Sequence, residues 1–216
     1  MKHCCIIGGG AALAQPLIAK WLMEGHRVTA VVRDKLPDKG HDRYDDQYTV
    51  LKNLRLADPA NLLVTMTGHT ENVKLCDMGR EGWEPVLEGC LTSVVKALSA
   101  VVLNDGANVV VVGSIIGSTG GFGCASYAAA KAGLVGLVRA AANEWASRNI
   151  CVNLLELGYC NAGMGARLDA KVRERALAGI PLRRFAEPHE VVEAIDYLSK
   201  VRYATGTILN LAGGLR

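Results

Sequence analysis

Apolar residues in this chain fall into two kinds of pattern: short continuous aliphatic runs bounded by polar, glycine-bearing turns, and longer stretches where they recur every three or four positions. The first pattern reads as strands buried on both faces and the second as amphipathic helix. His3–Ile7 and the runs 28–32, 61–67, 108–112, 150–155 and 207–211 are predicted strands. Helices are predicted after the glycine triplet 8–10, over 83–103, over about 126–147 and about 166–178, and from Pro188 onward, proline being suited to a first helical turn. The stretch 83–103 reads as one long helix, with apolar residues at 83, 86, 87, 91, 94, 95, 98, 101 and 102.

Alternating strands and helices imply an α/β fold: a Rossmann-like, doubly wound parallel sheet in a three-layer αβα sandwich, with right-handed crossovers. No composition shift or linker divides the 216 residues, so the whole chain, 1–216, is expected to be a single dinucleotide-binding domain. The segment 35–61 has room for one short strand or helix but not for a further βα unit, and its HDRYDDQY run reads as a solvated loop lacking the glycine and distal glutamate of a calcium loop. Ligands of such sheets sit beyond the carboxyl ends of the strands. Gly8–Gly10, Gly68, Ser114 and Gly158 all fall there.

Composition narrows the class. Half of the residues are apolar and only 5% aromatic, which suits an aliphatic sheet core, and the net charge of +3 is dispersed rather than gathered in a basic block. Nucleic acid is therefore not expected as a partner, and with no run of about 18 apolar residues neither is a membrane span. Seven cysteines, an odd number without a C-x-x-C pair or metal-ligand spacing, point to reduced thiols, a cytoplasmic location and no metal.

The chemistry concentrates between residues 108 and 153. Ser114 closes a strand, and Tyr127 and Lys131 lie one helical turn apart on one face. A cation there favours the phenolate, and lowering a tyrosine pKa by about 2 to 3 units takes roughly 3 to 4 kcal/mol of differential stabilisation. The small residues of this helix (Ala128, Ala129, Ala130, Ala132, Gly133, Gly136, Ala140, Ala141 and Ala142) allow another helix to approach closely, either from a second subunit or within the chain. At the amino end, strand, glycine turn, helix and strand form a βαβ unit that meets neither G-x-G-x-x-G nor a Walker A pattern, so on its own the turn is read either as purely structural or as a helix start offering N–H groups to a pyrophosphate. Arg33, directly after the second strand, is placed to pair with a 2′-phosphate, which favours NADP(H) over NAD(H). His69 is read either as a polar wall of the pocket or as an ordinary loop histidine.

Taken together, Ser114 thirteen residues before Tyr127, the YAAAK run at 127–131, the VN at 152–153, IPLRRFAEPHEVVEAIDYLS and the terminal GTILNLAGG make the chain resemble a short-chain dehydrogenase/reductase close to the ketoacyl reductases. The resemblance implies hydride transfer between a nicotinamide and a small or medium carbonyl or alcohol substrate. It implies Tyr127 as general acid/base, Lys131 as the group that lowers its pKa and binds the nicotinamide ribose, and Ser114 as the orienter of the substrate oxygen. Gly8, Gly10, Ala12, Leu13, Arg33, Gly68 and Gly158, with Tyr127 and Lys131, would line the cofactor, and a homodimer or homotetramer is implied.

The chain departs from the family pattern at named positions. Ala12 and Ala14 replace glycines, TMTG at 65–68 replaces N-N-A-G, Cys90 stands where the proton relay has an asparagine, Leu157-Gly158 replaces P-G, and the middle segment is shorter by about one βα unit. A thiol is a weak hydrogen-bonding group, so the relay to Lys131 is expected to be impaired or carried by water. These departures leave two alternatives open: a non-redox dehydratase, isomerase or cyclase on the same fold, or a non-catalytic partner subunit.

Overall fold

Strand β1 (His3–Ile7) pairs in parallel on both sides, Cys4 with Val28 and Leu62 and Ile6 with Ala30 and Val64, and the sheet grows outward from it. The computed structural model describes residues 1–8, 10–32, 48–51, 54, 56 and 58–216. Helix α1 (Ala14–Met23) returns the chain to β2 (Arg27–Val31), whose outer neighbour is β3 (Tyr48–Leu51). Strand β4 (Ala60–Thr65) lies on the other side of β1. The room for one short strand or helix between 35 and 61 is taken by β3, which begins at Tyr48, the last residue of the HDRYDDQY run; the rest of that run, 41–47, and Arg33 lie outside the described residues.

Helices α2 (Arg80–Leu87) and α3 (Ser93–Ala100) lead to β5 (Leu103–Val112). The short α4 (Ile116–Thr119) and the long α5 (Ala125–Trp145) lead to β6 (Cys151–Leu157). Helices α6 (Gly163–Ala166), α7 (Ala170–Gly179) and α8 (Pro188–Lys200) precede β7 (Ile208–Leu211). Among the described residues the seven strands are all parallel, in the order β3-β2-β1-β4-β5-β6-β7.

Strand pleating sends alternate side chains to opposite faces, and the aliphatic runs use both. Cys4, Ile6, Val110 and Val112 pack with α1 and α8, through Leu17, Trp21, Val191 and Ile195. Cys5, Ile7, Val109 and Val111 pack with α3 and α5, through Val94, Leu98, Leu134 and Val138. This is the three-layer αβα arrangement.

Three elements differ most from the sequence reading. The helix expected over 83–103 is broken by a π-helical turn at Glu88–Thr92 and ends at Ala100. Periodicity did not reveal the break because one inserted residue still leaves apolar spacings of three and four. Strand β5 starts at Leu103, five residues early, because the 103–107 stretch bulges between the Ala60–Leu103 and Leu62–Asn108 pairs, with Gly106 at φ +74°. The polar helix expected over 166–178 starts later, as α7, with the short α6 before it, and Asp169 sets the start of α7 by accepting the Val172 N–H at 2.9 Å.

Candidate active site

Strand β5 ends where its last ladder bonds are made, from Gly113 N to the Leu155 carbonyl and from Ile115 N to the Leu157 carbonyl, which leaves Ser114 at the sheet's carboxyl edge. The next turn, α4, lies directly against α5. A Cβ on Gly117 would come within 2.8 Å of Ala132 N and 2.9 Å of the Lys131 carbonyl carbon, so only a bare backbone permits this approach. That contact brings Ser114 to the first turns of α5, where Ser126, Tyr127, Ala130, Lys131 and Leu134 form the buried face. The structure therefore brings the three expected catalytic residues together: the Ser114 hydroxyl is near enough to Tyr127 to favour its phenolate, and the Lys131 ammonium lies 5.8 Å from the centre of the Tyr127 ring.

The electrostatics differ from the sequence expectation. Tyr127 is pushed up to about 12, because burial disfavours the phenolate more than the Ser114 hydroxyl favours it. Lys131 is only 3% exposed and is lowered by the same desolvation. Its ammonium donates to the carbonyls of Thr67 (3.0 Å) and Val112 (3.2 Å). In this arrangement the phenol is a neutral acid, and the cation beside it is held by backbone dipoles.

Cys90, buried in the π-helical turn, uses its thiol more fully than the sequence suggested. The Sγ–H donates to the His69 carbonyl at 3.0 Å, and the His69 N–H donates to Sγ at 3.2 Å. The His69 ring turns away to Glu71 at 3.1 Å. Sequence reasoning passed over Thr67, whose carbonyl receives Lys131, and the buried Glu156, which accepts from Ser118 Oγ at 2.6 Å. A signal for the second existed: a carboxylate inside the doubly buried run CVNLLEL needs a partner.

On the cofactor side, Gly8 occupies φ +86°, and a Cβ there would stand 2.9 Å from the Met66 carbonyl oxygen. Helix α1 begins without a side-chain cap and with no acidic residue in its first turn, so its amino end has N–H groups suited to an anion. These features fit a dinucleotide pyrophosphate. Gly10 and Ala12 are exposed around this turn, and Leu13 packs partly against the core. Gly68 faces Met164 of α6, where a Cβ would lie 3.9 Å from Cε. Gly158 serves packing, since a Cβ would meet Ala212 Cα at 2.7 Å. On α5, Gly133 admits Leu91 from within the chain, and Gly136 is open, with nothing within 4 Å of a Cβ built there. All seven cysteines are free thiols, and no helix among the described residues is long and apolar enough to cross a membrane.

Residues 55–216 match the family model described as enoyl-(acyl carrier protein) reductase. The chain is 34% identical over 239 residues to a 3-oxoacyl-[acyl-carrier-protein] reductase of Thermotoga maritima, covering 99% of this chain and 97% of that one. It is also 34% identical over 179 residues to an acetoacetyl-CoA reductase of Allochromatium vinosum, covering 80% and 73% of the two chains. Among solved structures, an oxidoreductase from Burkholderia thailandensis described as of the short-chain dehydrogenase/reductase family superposes with a TM-score of 0.84 at 25% identity, over 99% of this chain and 92% of the other. A Francisella tularensis protein described as of the short chain dehydrogenase family shares the fold, with a TM-score of 0.87 at 17% identity over 99% and 98% of the two chains.

Proposed function

The chain belongs to the short-chain dehydrogenase/reductase family and is a nicotinamide-dependent oxidoreductase; from that footing we propose that it reduces the carbonyl of a 3-oxoacyl thioester with NADPH, Tyr127 being the proton donor. The observation that carries this reading is the buried Tyr127 phenol, with Ser114 beside it and Lys131 one helical turn away. NADPH, when bound, supplies the hydride to the carbonyl carbon. As negative charge grows on the carbonyl oxygen, Tyr127 donates its proton there and the Ser114 hydroxyl holds the same oxygen in place. The phenolate left on Tyr127 is stabilised by the positive charge of Lys131, the kind of preorganised partner that general acid catalysis needs.

The amino end of α1 and the Gly8 turn take the pyrophosphate in this reading. Arg33 supports the phosphorylated cofactor, since its guanidinium can pair with a 2′-phosphate where an acidic residue would accept a ribose hydroxyl. The thioester class is supported by the two reductases to which the chain is 34% identical. We read the protein as cytoplasmic on the strength of its seven free thiols, and as a homodimer or homotetramer through the exposed small residues Ala129, Ala132, Gly136 and Ala140 of α5. The test is a parallel binding titration with NADPH and NADH, followed by acetoacetyl-CoA turnover read from loss of reduced-nicotinamide absorbance. Tighter NADPH binding with turnover is expected. Substrate conversion without cofactor consumption would instead indicate non-redox chemistry.

A further inference from the structure

Lys131 reaches two carbonyls that are held in different ways. Val112 ends strand β5, so the ladder fixes its carbonyl. Thr67 lies beyond the end of β4, past the last ladder-like bond from Met66 N to the Ile7 carbonyl at 2.8 Å. The chain from 66 to 69 is held instead by two glycine surfaces and two side-chain clamps. Gly8 packs bare against Met66 and Thr67 on one side. On the other, a Cβ on Gly89 would come within 2.9 Å of the His69 Cβ.

The first clamp is the Ser93 hydroxyl, hydrogen-bonded to Thr67 Oγ1 at 2.9 Å and to the Gly89 carbonyl at 2.9 Å. The second is the Cys90 thiol, bonded to both backbone groups of His69. The π-helical turn makes this possible: by inserting one residue at Glu88–Thr92 it places Gly89, Cys90 and Ser93 together against the 67–69 backbone. Gly89, Cys90 and Ser93 therefore act on one short segment, 67–69.

We infer that Ser93 and Cys90 are positioning residues for Lys131: by fixing the backbone at Thr67 and His69 they set where the ammonium sits relative to Tyr127. The inference rests on the proposed roles of Tyr127 and Lys131. Neither Ser93 nor Cys90 touches the reacting atoms in this account; each acts through the carbonyl that receives Lys131. Releasing the segment lets the ammonium leave its buried position, which weakens its hold on the phenolate and returns it toward solvent.

The test is a double-mutant cycle on Thr67→Val and Ser93→Ala, with Cys90→Ala and Cys90→Ser alongside. The substrate is 3-hydroxybutyryl-CoA oxidised with NADP⁺, which requires the phenolate. Thr67→Val and Ser93→Ala should each lower kcat by roughly fivefold, the worth of one neutral hydrogen bond, and move the rising limb of the pH profile upward. The double variant should match the singles, because both remove the same bond. Cys90→Ala should shift the profile in the same direction, and Cys90→Ser, which keeps a donor and an acceptor, should restore it. A second readout is free of turnover: in protein carrying ¹³C-labelled lysine, the one resonance titrating below the bulk lysines, removed by Lys131→Met, should move up toward them in Ser93→Ala.

Unchanged pH profiles and an unchanged lysine titration in all variants, with only thermal stability lowered, would overturn the inference and leave the clamps as ordinary packing. Additive effects of Thr67→Val and Ser93→Ala would also overturn it. Full activity in Tyr127→Phe, measured in the same series, would remove the underlying reading of the site instead, and the lysine titration would still report on the clamps.

Discussion

The Lys131 ammonium, 5.8 Å from the centre of the Tyr127 ring, directs its hydrogen bonds to the Thr67 and Val112 carbonyls. This relationship joins the long helix α5 to the carboxyl ends of two neighbouring strands. It also makes Lys131 a buried cation with no carboxylate among its hydrogen-bond partners, a costly arrangement of the kind found where charge is needed for chemistry. Lys131→Met keeps the length and apolar body of the side chain and removes the charge. It is expected to lower kcat by about 100-fold or more and to weaken NADPH binding, as read by steady-state rates and nicotinamide fluorescence.

Tyr127 is held neutral by burial, at about 12. Its folded pKa lies above the value in the unfolded chain, so the stability it contributes is fully present below about pH 10 and is lost as pH rises toward about 12. Tyr127→Phe is therefore expected to flatten the loss of stability across that alkaline interval, measured by denaturant midpoints at a series of pH values. An identical alkaline profile in the two proteins would count against a buried, neutral phenol.

His3 gives the opposite sign on the acid side. Its buried ring bonds the Pro59 carbonyl through Nδ1 (3.1 Å) and Thr29 Oγ1 through Nε2 (2.9 Å), which fits the neutral tautomer protonated at Nδ1. Burial holds its pKa below the usual 6.5, and His26 shifts the same way for the same reason. The unfolded chain then binds more protons, so this stability is present above about pH 6.5 and is lost as pH falls below it. Glu190 does not titrate in that window: its hydrogen bonds to Arg184 hold it near 2. The denaturant midpoint should fall between about pH 7.5 and about pH 5.5, and His3→Gln should reduce the fall.

Gly8 couples the cofactor turn to the segment that carries the Lys131 acceptor. Its φ of +86° and the 2.9 Å approach to the Met66 carbonyl both exclude a Cβ. Gly8→Ala is expected to cost about 1 to 3 kcal/mol of stability and to weaken NADPH binding, measured by denaturant unfolding and fluorescence titration. If both quantities match those of the parent protein, the turn does not have the role assigned to it.

Much of this site could be read from the chain, and the reasons are local. Strands such as 108–112 announce themselves by the unbroken valines 109–112, and Tyr127 and Lys131 share a face because four residues make about one helical turn. Ser114 was legible because it closes one of those strands. What supports these residues was not legible. The Cys90–His69 and Ser93–Thr67 bonds join positions 21 and 26 apart in sequence, and they depend on a π-helical turn that leaves no periodic trace. The pKa of Tyr127 departs from expectation for a related reason: the spacing to Lys131 is local, but the burial that raises the pKa is set by the whole fold.

The central claim, that Tyr127 is the proton donor of a nicotinamide-dependent reductase, is tested most directly by NADPH-dependent reduction of acetoacetyl-CoA in the parent protein and in Tyr127→Phe, with NADPH affinity measured on both. The account predicts turnover in the parent, a loss of about 100-fold or more in Tyr127→Phe, and NADPH binding that is nearly unchanged. Undiminished turnover in Tyr127→Phe, or a parent protein that binds no NADPH, would contradict it.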